Sequence, residues 1–413
     1  MRRLVLLLAS MALAMLLACG VALALPSEKP DQTPMVNGTV RAIKHVGTNI
    51  WLGGKFTQVK QRDGTVVAPV SNNLAVFDSQ TNQYKNIAAV PKLGGTDSEV
   101  WDMAIYGDDV LIAGKFSGPT STQKNLVLVD GATGQVIRWY NAPSLKSALA
   151  APAVGRVYGG GVSLTAFDKD SGTKLWTKAK TTVNTTRYSD PPSPGYRDLE
   201  LDGSTIWAAC ACDAVDGAAA KALVKLSTEG VHDTFWVAEA DPASWGMSVL
   251  KATDGALYLG AGGSDYLAKY DKKADGSCCG KNLGWRRDTS GSVQVVEEMD
   301  GQLVIGGHFW EVSDKLGDQL LDMVDKCGHG RVEPDLDLSP GGVCQTRKGM
   351  AAYSFEGVLD PNWDPLYAGK YSLVWALDVE PSTSGSRLHT GGEFLKVNGF
   401  TQNYYARLSP PSP

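Results

Sequence analysis

The chain has 413 residues, 43% hydrophobic and 20% charged, which is enough apolar material for a large globular core. Its 46 Gly and 20 Pro disfavour long helices and favour many short strands joined by turns. A formal net charge of −5 excludes the basic footprint that nucleic acid or an anionic membrane surface requires.

Residues 1–24 read as a signal peptide, with Arg2-Arg3, the apolar run Leu4–Leu17 and a small-residue cleavage site at Ala22-Leu23-Ala24. The expected location is therefore secreted and extracellular. Leu16-Leu17-Ala18-Cys19 resembles a bacterial lipobox, so the alternative is a lipid anchor through Cys19. Residues 25–413 are expected to form a single domain.

That domain rewrites one pattern. Val40–Phe56 reads as two strands, Val40–Val46 and Ile50–Gly54, around a tight turn at Gly47-Thr48-Asn49, followed by a third strand at Asn73–Asp78. Val100–Phe116 repeats it, with a third strand at Asn125–Asp130 and a fourth around Trp139. The third repeat is degenerate over Leu145–Pro152 and resumes through Val157, Leu164–Asp168 and Trp176. The fourth runs from Tyr196 through Ile206–Cys212 and Leu223–Leu226 to Trp236, and the fifth through Leu257–Gly260 and Leu267–Asp271 to Trp285. Val293–Phe309 opens the sixth, whose third strand, Met350–Tyr353, and late Trp363 follow an inserted loop at about 310–348. Leu316, Leu320, Leu321 and Val324 in that insertion have helical spacing, the one place where a helix is expected. Val374–Phe394 opens the seventh, which stops after Tyr404–Leu408. Its missing fourth strand is expected from Lys29–Met35. Self-similarity at this period predicts an all-β fold, a seven-bladed β-propeller of four-stranded antiparallel blades whose last blade is closed by an N-terminal strand.

Val-x-x-Ile, then Gly-Gly-x-Phe, then Leu-Ala-x-(Phe/Tyr)-Asp, then Thr-Gly and Trp resembles the delta-60 repeat propellers of secreted bacterial proteins. Third strands such as Leu164–Asp168, leading to Gly172 and Trp176, are also similar to quinoprotein repeats. The resemblance implies the fold; such propellers include enzymes, binders and scaffolds, so it does not imply one activity.

Six cysteines remain beyond the signal: Cys210, Cys212, Cys278, Cys279, Cys327 and Cys344. An even number in an exported chain points to disulfides. Cys327 and Cys344 are expected to pair across the insertion; two bridges between Cys210, Cys212 and Cys278-Cys279 would staple neighbouring blades, although the sequence does not fix the connectivity among these four. Adjacent cysteines also cover the quinone in some quinoprotein alcohol dehydrogenases, but no cofactor is expected here. No metal is expected either, because the five histidines are scattered and no HExxH or paired CxxC occurs. Asp325, Cys327, His329 and Cys344 as a zinc set, or Asp335 and Asp337 as calcium ligands, are explained more simply as a disulfide loop with exposed polar residues.

Aligning the repeats brings one constellation forward. The second positions of the inner strands are read as Arg41, Trp101, Ser147, Arg197, Ser248, Gln294 and Trp375, and in a propeller these would ring the channel mouth. Arg41, Trp101, Arg197, Gln294 and Trp375 are the candidate ligand-binding residues. No catalytic residue is expected. The expected function is a monomeric, non-enzymatic extracellular binding or scaffold propeller recognising a cell-surface, carbohydrate or peptide ligand. The alternative is a quinoprotein-like oxidoreductase or a polysaccharide-active lyase or hydrolase.

Overall fold

The computed structural model describes residues 25–411, apart from 62, 70–72, 182–194, 211, 213, 221–222, 238–248, 263–264, 273–281, 314–343, 370–372 and 383–384. Among the described residues the regular elements are strands, with one 3-10 turn at Pro152–Val154. The expected helix at Leu316–Val324 and the cysteines Cys278, Cys279 and Cys327 lie outside the described residues.

Seven antiparallel sheets follow one another along the chain, each opening on an inner strand. The inner strands are Thr39–Val46, Gly94–Tyr106, Leu145–Ala151, Tyr196–Asp202, Val249–Ala252, Val293–Met299 and Val374–Glu380. Each pairs with the next strand in sequence, and that strand pairs with a third; the third strands include Leu74–Asp78, Lys124–Asp130, Met350–Ser354 and Tyr405–Leu408. Hairpin turns at Gly47, Gly107 and Gly203 all have positive φ, the conformation a tight turn between twisted strands needs.

The outer edges are less regular than the repeat predicts. A full fourth strand exists in the second and fifth sheets, Val136–Asn141 and Asn282–Asp288. The third sheet has Lys174–Thr181 and then captures a small hairpin, Ala214–Val215 and Ala218–Ala219, from the following repeat. Elsewhere the fourth strand shrinks to a single bridge, Phe77 with Tyr84, Leu226 with His232 and Tyr353 with Leu359. Trp236 and Trp363 therefore sit in connecting chain, not on strands, although both are buried.

Apolar packing runs between sheets. Each buried cluster joins two consecutive sheets, and one joins the seventh to the first through Val40, Ile43, Phe77, Ala376 and Tyr405. The inner strands neighbour one another in the same cyclic order, with Val374–Glu380 returning to Thr39–Val46. The arrangement is propeller-like. The late tryptophans tie it together. Trp176 Nε1 donates to Thr228 O at 3.3 Å, Trp236 to Asp271 O at 3.1 Å and Trp285 to Phe355 O at 3.1 Å, each onto the following sheet. A buried indole that finds an acceptor keeps its large apolar contribution without an unsatisfied donor.

The glycine pair of the repeat has a steric origin. A Cβ on Gly53 would lie 2.5 Å from Val100 Cγ1 of the next sheet, and one on Gly54 would collide with the carbonyl oxygen of Thr39. At the seam, a Cβ on Gly391 would lie 2.5 Å from Val40 Cγ1. The phenylalanines that end the motif, Phe56, Phe116, Phe309 and Phe394, are all buried.

Two expectations are corrected. The N-terminal segment does reach the last sheet, but through Ser27 and Asp31, whose amides donate to Ser409 O at 2.9 Å and Arg407 O at 2.8 Å, without forming a regular strand. Met35–Val36 instead pairs with Val59 and Lys60 in a side sheet. The cysteine expectation changes too, because Cys210 is bonded to Cys212, two residues away, in place of the bridge to Cys278-Cys279 across blades. Cys210 ends the second strand of its sheet, and Cys212 follows just past the strand end.

The N-terminal segment is anchored by more than backbone. Trp363 Nε1 donates to Pro26 O at 2.9 Å, Asp364 N to Glu28 Oε1 at 2.6 Å, Arg407 pairs with Asp31, and buried Gln402 bonds Thr33. Each buried partner left unsatisfied costs about 1–3 kcal/mol. Deleting residues 25–37 is therefore expected to lower the melting temperature by roughly 10 °C or more. An unchanged calorimetric melting temperature would show that the segment does not hold the ring.

Candidate functional site

Six inner strands carry a β-bulge near their start. Val40 pairs with Gly54 and Ala42 with Gly53, so Arg41 is left over. The same register step frees Trp101, Lys146, Arg197, Gln294 and Trp375. A bulge re-aims its extra side chain, and here repetition sends six of them to one place. Together with Val249 they line a recess of about 70 Å³ at one end of a channel of about 640 Å³ running along the inner strands of all seven sheets.

All five sequence candidates, Arg41, Trp101, Arg197, Gln294 and Trp375, are thus brought together. Ser147 is not. The bulge falls between Leu145 and Ser147, so Lys146 takes the ring position and Ser147 is buried beside Gly160. The register against Gly160-Gly161 carries the signal that finds Lys146, and counting from the degenerate start of the repeat misses it. Ser248 lies outside the described residues, and Val249 lines the recess on that sheet.

The aromatic and basic groups are stacked. The Arg41 guanidinium carbon lies 4.2 Å from the Trp101 ring centre and 4.4 Å from that of Trp375. Lys146 Nζ lies 2.9 Å from the Trp101 ring centre. The indoles therefore hold cations through their faces, which differs from the free apolar platform that two tryptophans suggest in the sequence. Arg41 Nε donates to Glu99, while its Nη1 is buried without a partner. Gln294 is buried and donates to Ser292 Oγ at 2.7 Å.

Burial and cationic neighbours weaken the charges at this mouth. Desolvation, then Arg197 and Arg41, push the Lys146 ammonium down to about 7, with Glu99 opposing and Lys115 adding to the effect. Desolvation, then Arg41, bring Arg197 down to about 10.

A second ring lies further along the inner strands, three residues beyond each bulged residue at Lys44, Ala104, Leu149, Glu200, Glu297 and Asp378, and two beyond Val249 at Lys251. Lys251 Nζ sits 2.6 Å from Glu297 Oε2 and 3.9 Å from Glu200 Oε1, and Lys44 Nζ sits 3.7 Å from Asp378 Oδ1. Between the rings, Asp102 Oδ2 accepts from Ala148 N at 2.8 Å and Asp198 Oδ2 from Leu250 N at 2.7 Å, each bonding an inner strand to the next sheet. Burial is the main reason these carboxyls resist ionising. It raises Asp102 and Asp378 to about 7, Asp198 to about 6 and Glu200 to about 8, with neighbouring carboxylates adding to each. Burial alone would raise Glu297 as well, but Lys251 and Lys44 outweigh it and its pKa is lowered. Among the described residues no group of three His, Cys, Asp or Glu has the arrangement to hold a metal ion. The same repeat alignment that revealed the mouth ring contains this charged ring, three residues beyond each bulged residue.

No protein-family model matches the chain, and the search of curated proteins finds no match. Among solved structures, the chain is similar to the computationally designed Ika8 protein at 11% identity, covering 92% of this chain and 100% of that one with a TM-score of 0.48. It is also similar to BamB from Moraxella catarrhalis at 12% identity, covering 92% and 84% with a TM-score of 0.45.

Carboxyls with raised pKa values take up protons on folding, so their contribution to stability is present at low pH and lost as pH rises through the folded pKa. For Glu200 that window runs from its unfolded value, 4.5, to about 8. Glu200→Gln should match the wild type near pH 5 and melt higher by pH 8, leaving the Lys251–Glu297 pair intact. Parallel calorimetry at both pH values checks this; a difference independent of pH would place Glu200 outside the buried network.

Proposed function

We propose that this chain is a seven-bladed β-propeller of the delta-60 repeat type, exported by residues 1–24, that binds an extracellular ligand at the mouth of its channel and catalyses no reaction. One observation carries this reading: six bulged side chains, each from a different sheet, meet in a single recess. Convergent polar and aromatic groups at a concave opening suit recognition. The propeller count is supported by seven consecutive sheets whose inner strands neighbour one another cyclically.

The chemistry of the recess favours binding over turnover. Among the described residues its lining contains three cations, an amide, two indoles and one valine, and no carboxylate or histidine that would act as a base beside them. The titrating carboxyls deeper in the channel are engaged by lysines or by backbone amides of the neighbouring sheet. A cell-surface polymer, carbohydrate or peptide would present its terminal group to the recess and its remainder to the surrounding loops, with the protein acting as a monomer. Export leads to an extracellular site, either free or anchored through a lipid on Cys19. No helix among the described residues is long and apolar enough to cross a membrane.

A glycan and peptide array probed with the purified mature protein, alongside Trp101→Ala and Trp375→Ala, tests the reading. Both substitutions release one face of Arg41 and are expected to weaken retained ligands at least tenfold. The half-buried rings lie at the mouth, so melting temperatures should stay within about 2–4 °C, the shift that about 1 kcal/mol produces. Array ligands that bind all three proteins equally would move the site to the outer loops.

A further inference from the structure

The mouth recess holds three cations and, among its lining residues, no acid. Arg197 and Lys146 have neither a hydrogen-bonded nor an ion-paired carboxylate among the described residues; Lys146 rests on the Trp101 face alone. Arg41 has one carboxylate, Glu99, and a buried Nη1 left without a partner. Gathering like charges in a partly desolvated recess is unfavourable unless an opposite charge completes it. The backbone does not force this cost, because the bulge presents tryptophan or glutamine at the equivalent positions of other sheets.

We propose, resting on the reading of the mouth as a binding site, that the recess recognises an oxyanion, the carboxylate, phosphate or sulfate group of its ligand, held by Arg41, Lys146 and Arg197.

Three features make the assignment specific. The first is size. A recess of about 70 Å³ among three cations is scaled to a charged head group, with the channel of about 640 Å³ behind it for the remainder of a ligand. The second is donor geometry. Guanidinium groups offer planar forks to a two-oxygen edge, and Arg41 is held between the two indoles with a free Nη1. The third is the stacking of cations on the indoles. Trp101 is occupied by cations at Arg41 and Lys146, and Trp375 by Arg41, so these indoles act as positioning residues for charge.

Lys146 adds a pH dependence. The charged groups acting on it are Arg197, Glu99, Arg41 and Lys115, and burial with the surrounding cations brings it to about 7. An arriving anion favours the ammonium form, so binding should be tight at pH 6 and weaken as Lys146 loses its proton. At pH 8, one unit above that pKa, the loss is about tenfold.

Isothermal titration of the mature protein with sulfate and with oxalate, at pH 6 and pH 8, tests the proposal. Both anions keep constant charge across that range, and they separate a tetrahedral from a planar oxyanion. One or both should bind at pH 6, and at pH 8 about tenfold more weakly. Arg197→Met should weaken binding at least tenfold, and Lys146→Met should abolish the pH dependence. Without anion both variants should melt at or above the wild-type temperature, because each removes an uncompensated charge; Arg197→Lys serves as a second, conservative variant if Arg197→Met fails to fold. Absence of binding by either anion at 10 mM overturns the proposal, as does binding that these substitutions leave unchanged. If neutral array ligands still depend on Trp101 while neither anion binds, the mouth remains the site and only the oxyanion assignment falls.

Discussion

The structure depends on how closely one sheet approaches the next at the start of each inner strand. At Gly53-Gly54 there is no room for a Cβ on either residue: Val100 of the neighbouring sheet occupies one position and the Thr39 carbonyl the other. The same approach recurs at Gly306-Gly307 and, across the seam, at Gly391-Gly392. Packed interiors tolerate little added volume, so this contact sets the spacing of the ring. In the first, sixth and seventh sheets the register slips by one residue opposite the two glycines, and the residue that slips reaches the recess; in the fourth sheet the same slip frees Arg197 opposite Ala209-Cys210, so the bulge does not depend on the glycine pair.

Close packing of the sheets and the mouth ring therefore meet at one end of the inner strands. Around it the apolar clusters alternate with sheet-to-sheet bonds from tryptophan N–H groups and from Asp102 and Asp198. Buried carboxyls that bond backbone amides of the next sheet do structural work at an electrostatic cost, visible in their raised pKa values. The second charged ring limits that cost by placing Lys251 between Glu200 and Glu297 and Lys44 beside Asp378. The mouth ring has no comparable compensation among the described residues, and the proposed oxyanion site rests on this contrast within one channel.

Much of this was legible in the sequence, because a repeat reports the same environment several times. The Gly-Gly-x-Phe motif, the third strands and the late tryptophans appear in sequence because each answers a constraint local to its own repeat or to its immediate neighbour. The ring candidates Arg41, Trp101, Arg197, Gln294 and Trp375 were readable for the same reason, since equivalent positions in a repeat share a place in space. Lys146 was missed where the repeat degenerates, because its identity is set by pairing with Gly160-Gly161 and not by its own neighbours in the chain.

The sequence by itself determined the all-β character, the order of strands and which residue of most repeats stands apart, because these follow from turn chemistry and periodicity. Tertiary structure alone decided what those residues do together. That Trp101 and Trp375 clasp Arg41 depends on the second sheet and the seventh, the latter distant in sequence, both meeting the first. That Cys210 turns to Cys212, that Ser27 and Asp31 rather than Met35 reach the last sheet, and that a hairpin from the fourth repeat joins the third sheet depend on which partners meet once the ring is assembled. Charge compensation is likewise a property of three-dimensional neighbours. A list of lysines, arginines and carboxylates along the chain does not say which are paired, and only the folded ring leaves Arg197 and Lys146 facing a recess without an acid in its lining.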